Sequence, residues 1–285
     1  MMFFLLLTAC TAQQQKSDSV PDEDEIQPPF GLLKIEEVYY AGSVPTAGID
    51  RYYADQFIQL RNTSDEYTVD IGGVGLGDIF GLAGEINTGY GPNSLAEYGG
   101  SLYFENMWQI PMETPFRYLP PGGCIKIAQN AADHSPYSPY SHLDAHFETY
   151  VEISDRDLDD PIVENLESIH YTAGYDWLVT VFGPTIVIIE PEAIDEGVVE
   201  RVRGTDLWVT PSEYTLDTME ALMDENSGDF KRLHPDIDSG FQYVSGTYTG
   251  ESVRRKVENG VWIDTDNSSE DYFVTQPISD CGTNQ

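Results

Sequence analysis

DQFIQLRN, residues 55–62, is the stretch from which the fold is read. Side chains alternate across a strand, so Ile58 and Leu60 fall on one face while Phe57, Gln59 and Arg61 share the other. A strand with one core side follows. Comparable short runs recur along the chain: LLKIEEVYY, YTVDI, SLYFENMW, CIKIAQ, FETYVEI, WLVTVF and TIVIIEP, then FQYVSG, SVRRKV and VWIDTD. Between them lie GSVPTAG, PPGG and SPYSPYS, rich in the Gly, Pro and Ser that interrupt regular structure. The composition agrees: 25 Gly, 17 Pro, 18 Tyr and 12 Phe favour pleated strands separated by turns over long helices. The expectation is an all-β protein. One helix is predicted, from Pro211 to about Met223, because Thr210 can cap it, Pro211 suits its first turn and Glu213 lies three residues beyond the cap.

The ends of the chain have a different character. MMFFLLLTA is apolar and uncharged and runs into Cys10, giving a lipobox-like LTAC although no Lys or Arg precedes Lys16. Such a segment, residues 1–9, reads as a lipoprotein signal, with Cys10 as the site of lipidation. Residues 10–29 lack apolar periodicity and read as a lipid-anchored, unstructured linker. Its random-coil span is about 25 Å. Residues 30–285 are then one domain, since no linker-like stretch divides them. The expected location is the bacterial cell envelope, at the outer membrane or cell surface. If Cys10 carries lipid, Cys124 and Cys281 remain as an even pair in an oxidising compartment, and both a disulfide and two separate thiols stay open.

With 14 basic against 49 acidic residues, the formal net charge is -35. Nucleic acid and anionic lipid surfaces are excluded as partners, because both are held by clustered Lys and Arg. Two groups of side chains have the types and spacing for metal. In HLDAHFE, His142, Asp144 and His146 recur at period two and share a face if the segment is a strand, with His134 as a further zinc ligand. In DTDNSSED, Asp264, Asp266, Ser268, Glu270 and Asp271 offer hard oxygens for calcium, although Ser269 stands where an EF-hand requires Gly. The alternative for that segment is a turn whose side chains cap their own backbone. Nothing matches a nucleophile elbow, and the glycines of GGVGLGD miss the spacing of a phosphate-binding loop. Tyr-rich IDRYYADQ, NTGYGPN and SPYSPYS have the make-up of recognition loops.

KIEEVYYAGS, ADQFIQLRNTSDEYTVDIGGVGLGD and LPPGGCIKIAQNAADH resemble successive strands of lamin-tail-like domains, in which an F-I-x-L-x-N strand and an L-x-P-G turn recur. The closing GESVRRKVENGVWIDTDNSSEDYF is similar to the ending of a group of uncharacterised bacterial envelope lipoproteins (domain of unknown function, 4876 type). Asp266 and Tyr272 replace the usual Asn and Phe. The resemblance implies an immunoglobulin-like β-sandwich, enlarged by a middle insertion from about Ser141 to Gly240. It brings no catalytic residues and no cofactor. The expected function is a non-catalytic binding or adhesion module for a protein or glycan. The alternatives are a metal-dependent hydrolase built on His142, Asp144 and His146, or a calcium-stabilised structural component of an envelope assembly.

Overall fold

The computed structural model describes residues 26–44, 54–81, 100–152, 157–172, 177, 179–203, 206–278 and 280–281. Cys10 and the segment before residue 26 lie outside them. Two seven-stranded sheets, neither closed, form an all-β sandwich. In the first sheet the strand Phe57–Asn62 pairs antiparallel with Leu33–Tyr39 on one side and Cys124–Ala128 on the other. Ser252–Arg255 and Tyr272–Thr275 extend one edge, and Phe147–Glu148 and Glu164–Asn165 extend the other. The second sheet is built around Gly75–Ile79, Ser101–Gln109 and Thr185–Ile189, with Thr215–Glu220 at one edge. The main core lies between the sheets. Ile35, Ile58, Leu60, Ile125 and Ile127 of the first meet Leu76, Trp108, Ile186, Ile188 and Met219 of the second.

The Thr185–Ile189 strand is apolar on both sides. Ile186 and Ile188 enter the main core, while Val187 and Ile189 enter a smaller one with Phe104, Met107, Ala193 and Leu233. That is why TIVII lacks alternation: both of its faces are covered. The short helix Pro191–Asp195 supplies Ala193 to the second cover, and Pro at its first turn fits the fixed φ of that residue. Five strands of the second sheet, from Glu167–His170 through Thr215–Glu220, come from the region expected to be a middle insertion. It is integral to the sandwich.

The predicted helix over Pro211–Met223 is not formed. Trp208–Pro211 is a strand, Ser212–Tyr214 a single 3-10 turn, and Thr215–Glu220 a strand paired with Thr185–Ile189. Leu216 and Met219 have helical spacing, but a register shift between Ile188 and Ile189 leaves Leu216 as an extra residue. Both side chains therefore enter the same core from a strand. Pairing with a strand buried on both faces outweighs a weak helix propensity. The two α-helices among the described residues, Pro191–Asp195 and Ser268–Asp271, lie elsewhere. Among the described residues WLVTVF likewise forms no strand; Trp177 is buried outside regular structure and donates its indole N–H to Asp78 at 3.0 Å. Of the described residues of FETYVEI, Phe147–Glu148 is the strand.

Inside the sandwich a charged network joins the sheets. Arg255, on the Ser252–Arg255 strand, donates to both carboxylate oxygens of Asp217 at 2.7 and 2.6 Å, and to the carbonyls of Ile35 and Ile263. Its guanidinium lies 4.5 Å from the ring centre of Tyr272. Asp217 also accepts the Ile35 N–H at 2.7 Å, and Lys34 Nζ lies 4.0 Å away. A buried charge is tolerated where its partner and hydrogen bonds are both supplied.

Candidate functional site

Each of the two predicted ligand groups is drawn toward other partners. His142 is fully buried, and its Nε2 meets the Asp55 carbonyl oxygen at 2.6 Å. Burial pushes its pKa down to about 3, so the ring is neutral with the proton on Nε2. Asp144 is paired with Lys126 Nζ. His146 Nδ1 accepts the Lys126 N–H at 3.1 Å, and its ring packs edge-on against Phe116. The three groups diverge because HLDAHFE is a turn that becomes a strand only at Phe147. His134 contacts Tyr137 OH and the Asn130 carbonyl.

In DTDNSSED, Asp271 accepts from Thr265 N–H, Thr265 Oγ1 and Asn267 N–H. Asp264 pairs with Lys34 at 2.5 Å and Arg255 at 3.4 Å. Ser268 Oγ donates to Asp238 and accepts the Glu220 N–H, and Asn267 caps the Ser268–Asp271 helix by accepting the Ser269 N–H. Asp266 sits at φ +52° in the turn, and Glu270 closes the helix behind it. Asp, Asn and Ser here satisfy the backbone of a tight turn. Among the described residues no group of three or more His, Cys, Asp or Glu is arranged to hold a metal ion. Cys124 and Cys281 form a disulfide.

A cleft of about 310 Å³ opens beside the loop SPYSPYS, lined by Ser43, Val44, Tyr137, Pro139, Tyr140, Thr249, Gly250 and Gln276. Its shape comes from three segments. The end of the Leu33–Tyr39 strand runs on to Ser43. The Gly246–Gly250 turn docks there through Tyr248 N–H on the Ala41 carbonyl and Gly250 N–H on the Gly42 carbonyl. Tyr248 and Gly250 both hold positive φ, the conformation that the reversal requires. The SPYSPYS loop is fixed by Tyr137 and Ser138 N–H groups on the His134 carbonyl.

Beneath the cleft lies Asp55. Its Oδ2 accepts from Tyr39 OH at 3.1 Å, Ser138 Oγ at 2.5 Å and Ser43 Oγ, while Oδ1 has no hydrogen-bond partner among the described residues. Burial raises the Asp55 pKa and the three hydroxyls oppose that rise. Burial first, and the Asp55 charge second, raise Tyr39, and burial pushes Tyr140 up to about 12, so both phenols remain protonated donors. A hydrolytic triad places an imidazole between hydroxyl and carboxylate. Here the carboxylate accepts hydrogen bonds from the hydroxyls directly. The lining brings the Tyr137 and Tyr140 rings together with the hydroxyls of Ser43 and Thr249 and the Gln276 amide.

The sequence singled out SPYSPYS but not Asp55, whose partners are 12 to 83 residues away. IDRYY and NTGYGPN, the other Tyr-rich segments, fall outside the described residues.

The chain is similar to the crystal structure of a DUF4876 family protein from Bacteroides thetaiotaomicron VPI-5482, with a TM-score of 0.70 and 24% identity, covering 86% of this chain and 71% of that chain. No curated protein matches. Residues 120–279, more than half of the chain, match the family described as protein of unknown function (DUF4876). The chain is therefore a member of the DUF4876 family.

Proposed function

We propose that this DUF4876 protein is a non-catalytic binding module of the bacterial cell envelope, tethered through Cys10, and that it takes a neutral, hydroxyl-rich ligand of the glycan class in the cleft at SPYSPYS. The observation that carries this reading is the pairing of Tyr137 and Tyr140 with Ser43, Thr249 and Gln276 in one cleft. Aromatic rings with few torsions give contact area at low entropic cost, and neighbouring hydroxyl and amide groups fix orientation. The net charge of -35 favours a neutral ligand over an anionic one. A lipid on Cys10 followed by a polar linker would hold the sandwich away from its membrane.

The test is a glycan-panel binding assay on the purified chain, with Tyr140→Ala and Tyr137→Ala beside it. Saturable binding that falls at least tenfold in either variant supports the cleft. Binding that is absent, or unchanged in both variants, overturns it. Metabolic labelling with a fatty-acid analogue, lost in Cys10→Ala, tests the anchor separately.

A further inference from the structure

Gln59, Arg61 and Lys126 lie on the side of the first sheet opposite its core residues, and Glu36 and Glu37 meet them there. None of these five is more than 1% exposed. Charged groups on the outer face of a sheet are ordinarily solvated, so something covers them. Part of that cover is the C-terminal segment. Ile278 N–H donates to Glu37 Oε1 at 3.0 Å, and Gln59 Nε2 donates to the Ile278 carbonyl at 2.8 Å. Two side chains thus read both backbone groups of one residue, as a neighbouring strand would. The Ile278 side chain itself remains 46% exposed. Glu37 is aligned from behind by Ser252 Oγ at 2.6 Å and Arg254 Nη1 at 2.8 Å.

The two ends of this segment matter as much as its middle. Gln276 forms a wall of the cleft, and Cys281 is bonded to Cys124 on the Cys124–Ala128 strand. The chain therefore crosses from the cleft, over the charged face, to a covalent tie. We propose that the Cys124–Cys281 bond is a redox latch on this strap, and that its reduction by a dithiol of the thioredoxin-like class frees Gln276, Pro277 and Ile278 and opens the cleft wall.

The chemistry balances as thiol–disulfide exchange. A reductant thiolate attacks Sγ of Cys281, the more exposed residue of the two, and Cys124, a buried residue, leaves as a thiolate. The reductant's second thiol then displaces Cys281 from the mixed disulfide. Two electrons pass to the protein, the two protons of the dithiol end on Cys124 and Cys281, and the reductant departs as its own disulfide. With the tie gone, the two hydrogen bonds at Ile278 and the buried Pro277 are what hold the strap among the described residues. Ordering these residues costs more conformational entropy than two such bonds return.

The experiment is residue-resolved hydrogen exchange on the full chain, oxidised, reduced with dithiothreitol, and as Cys281→Ser. Release predicts that Ile278 amide protection falls at least tenfold in the reduced chain and in the variant, while the amides of Ile186–Ile189 keep theirs. Unchanged Ile278 protection with both thiols shown to be free overturns the latch. So does a parallel loss at Ile186–Ile189, which would make the bond a staple of the whole fold. The ligand consequence rests on the cleft reading above. If the oxidised chain binds no glycan, that reading fails while the exchange result still decides the latch.

Discussion

Replacing Arg255 by Met tests the charged network that joins the two sheets. The side chain is fully buried, and Met fills much of its volume while removing the charge and all of its donors. What remains is Asp217, held by the Ile35 N–H and by Lys34 at 4.0 Å, with its strongest partner gone. Breaking a buried pair from one side costs about 3–5 kcal/mol. At about 2–4 °C per kcal/mol for a domain of this size, Tm falls by roughly 6–20 °C. The assay is thermal and urea unfolding of Arg255→Met, Asp217→Leu and the double variant. In the double variant the stranded charge disappears and an orphaned Ile35 N–H is left, which costs about 1–3 kcal/mol. The double variant should therefore be more stable than Arg255→Met alone. A loss below about 1 kcal/mol in the single variant, or additive losses in the double, would mean that Arg255 and Asp217 are not coupled as a buried pair.

Gly183 stands at φ +102°, and a Cβ there would lie 2.6 Å from the Leu222 backbone. Gly183→Ala should therefore cost more than about 1 kcal/mol in urea unfolding, and a neutral result would remove strain from this turn. Burial raises Glu37 and Glu148 from 4.5 to about 7. Because the folded pKa exceeds the unfolded one, their contribution is complete below about pH 4.5 and is lost as pH rises through about 7. Tm should accordingly be higher at pH 5 than at pH 8, and Glu148→Gln should reduce that difference; a wild-type Tm that rises over this interval contradicts the assignment. With Asp264 and Asp271 committed to cations and backbone, millimolar calcium should leave Tm unchanged, and a rise of several degrees abolished by Asp264→Ala would restore calcium to the turn.

Local pattern carried the strands well. In DQFIQLRN, Ile58 and Leu60 do enter the main core, and CIKIAQ and SLYFENMW pair as strands. What the alternation concealed is that Phe57, Gln59 and Arg61 are buried too, because their cover arrives from distant residues such as Ile278. Hydrophobic periodicity reports which face meets the core and is silent about a polar face covered by another segment. The helix over Pro211–Met223 failed for a related reason. Thr210 and Pro211, read as a cap and first turn, end a strand instead, and the 3-10 turn Ser212–Tyr214 that follows has no side-chain cap. The disulfide stayed open in the sequence since pairing needs proximity, and residues 157 apart carry no local signal of it. Asp55 was illegible for the same cause: its three hydroxyl partners come from separate segments.

The strand Thr185–Ile189 has a consequence away from the native state. Five residues of high β-propensity without a charge are held safely between two cores once the sandwich has formed, yet in an unfolded chain they are the kind of segment that self-associates into cross-β stacks. Pro184 precedes the segment, and Glu190 and Pro191 follow it. Neither proline can donate a ladder hydrogen bond, and the carboxylate repels its own copies in a stack. The same flanks that end the strand in the fold therefore act as gatekeepers, limiting the length of any intermolecular ladder to the interval between them.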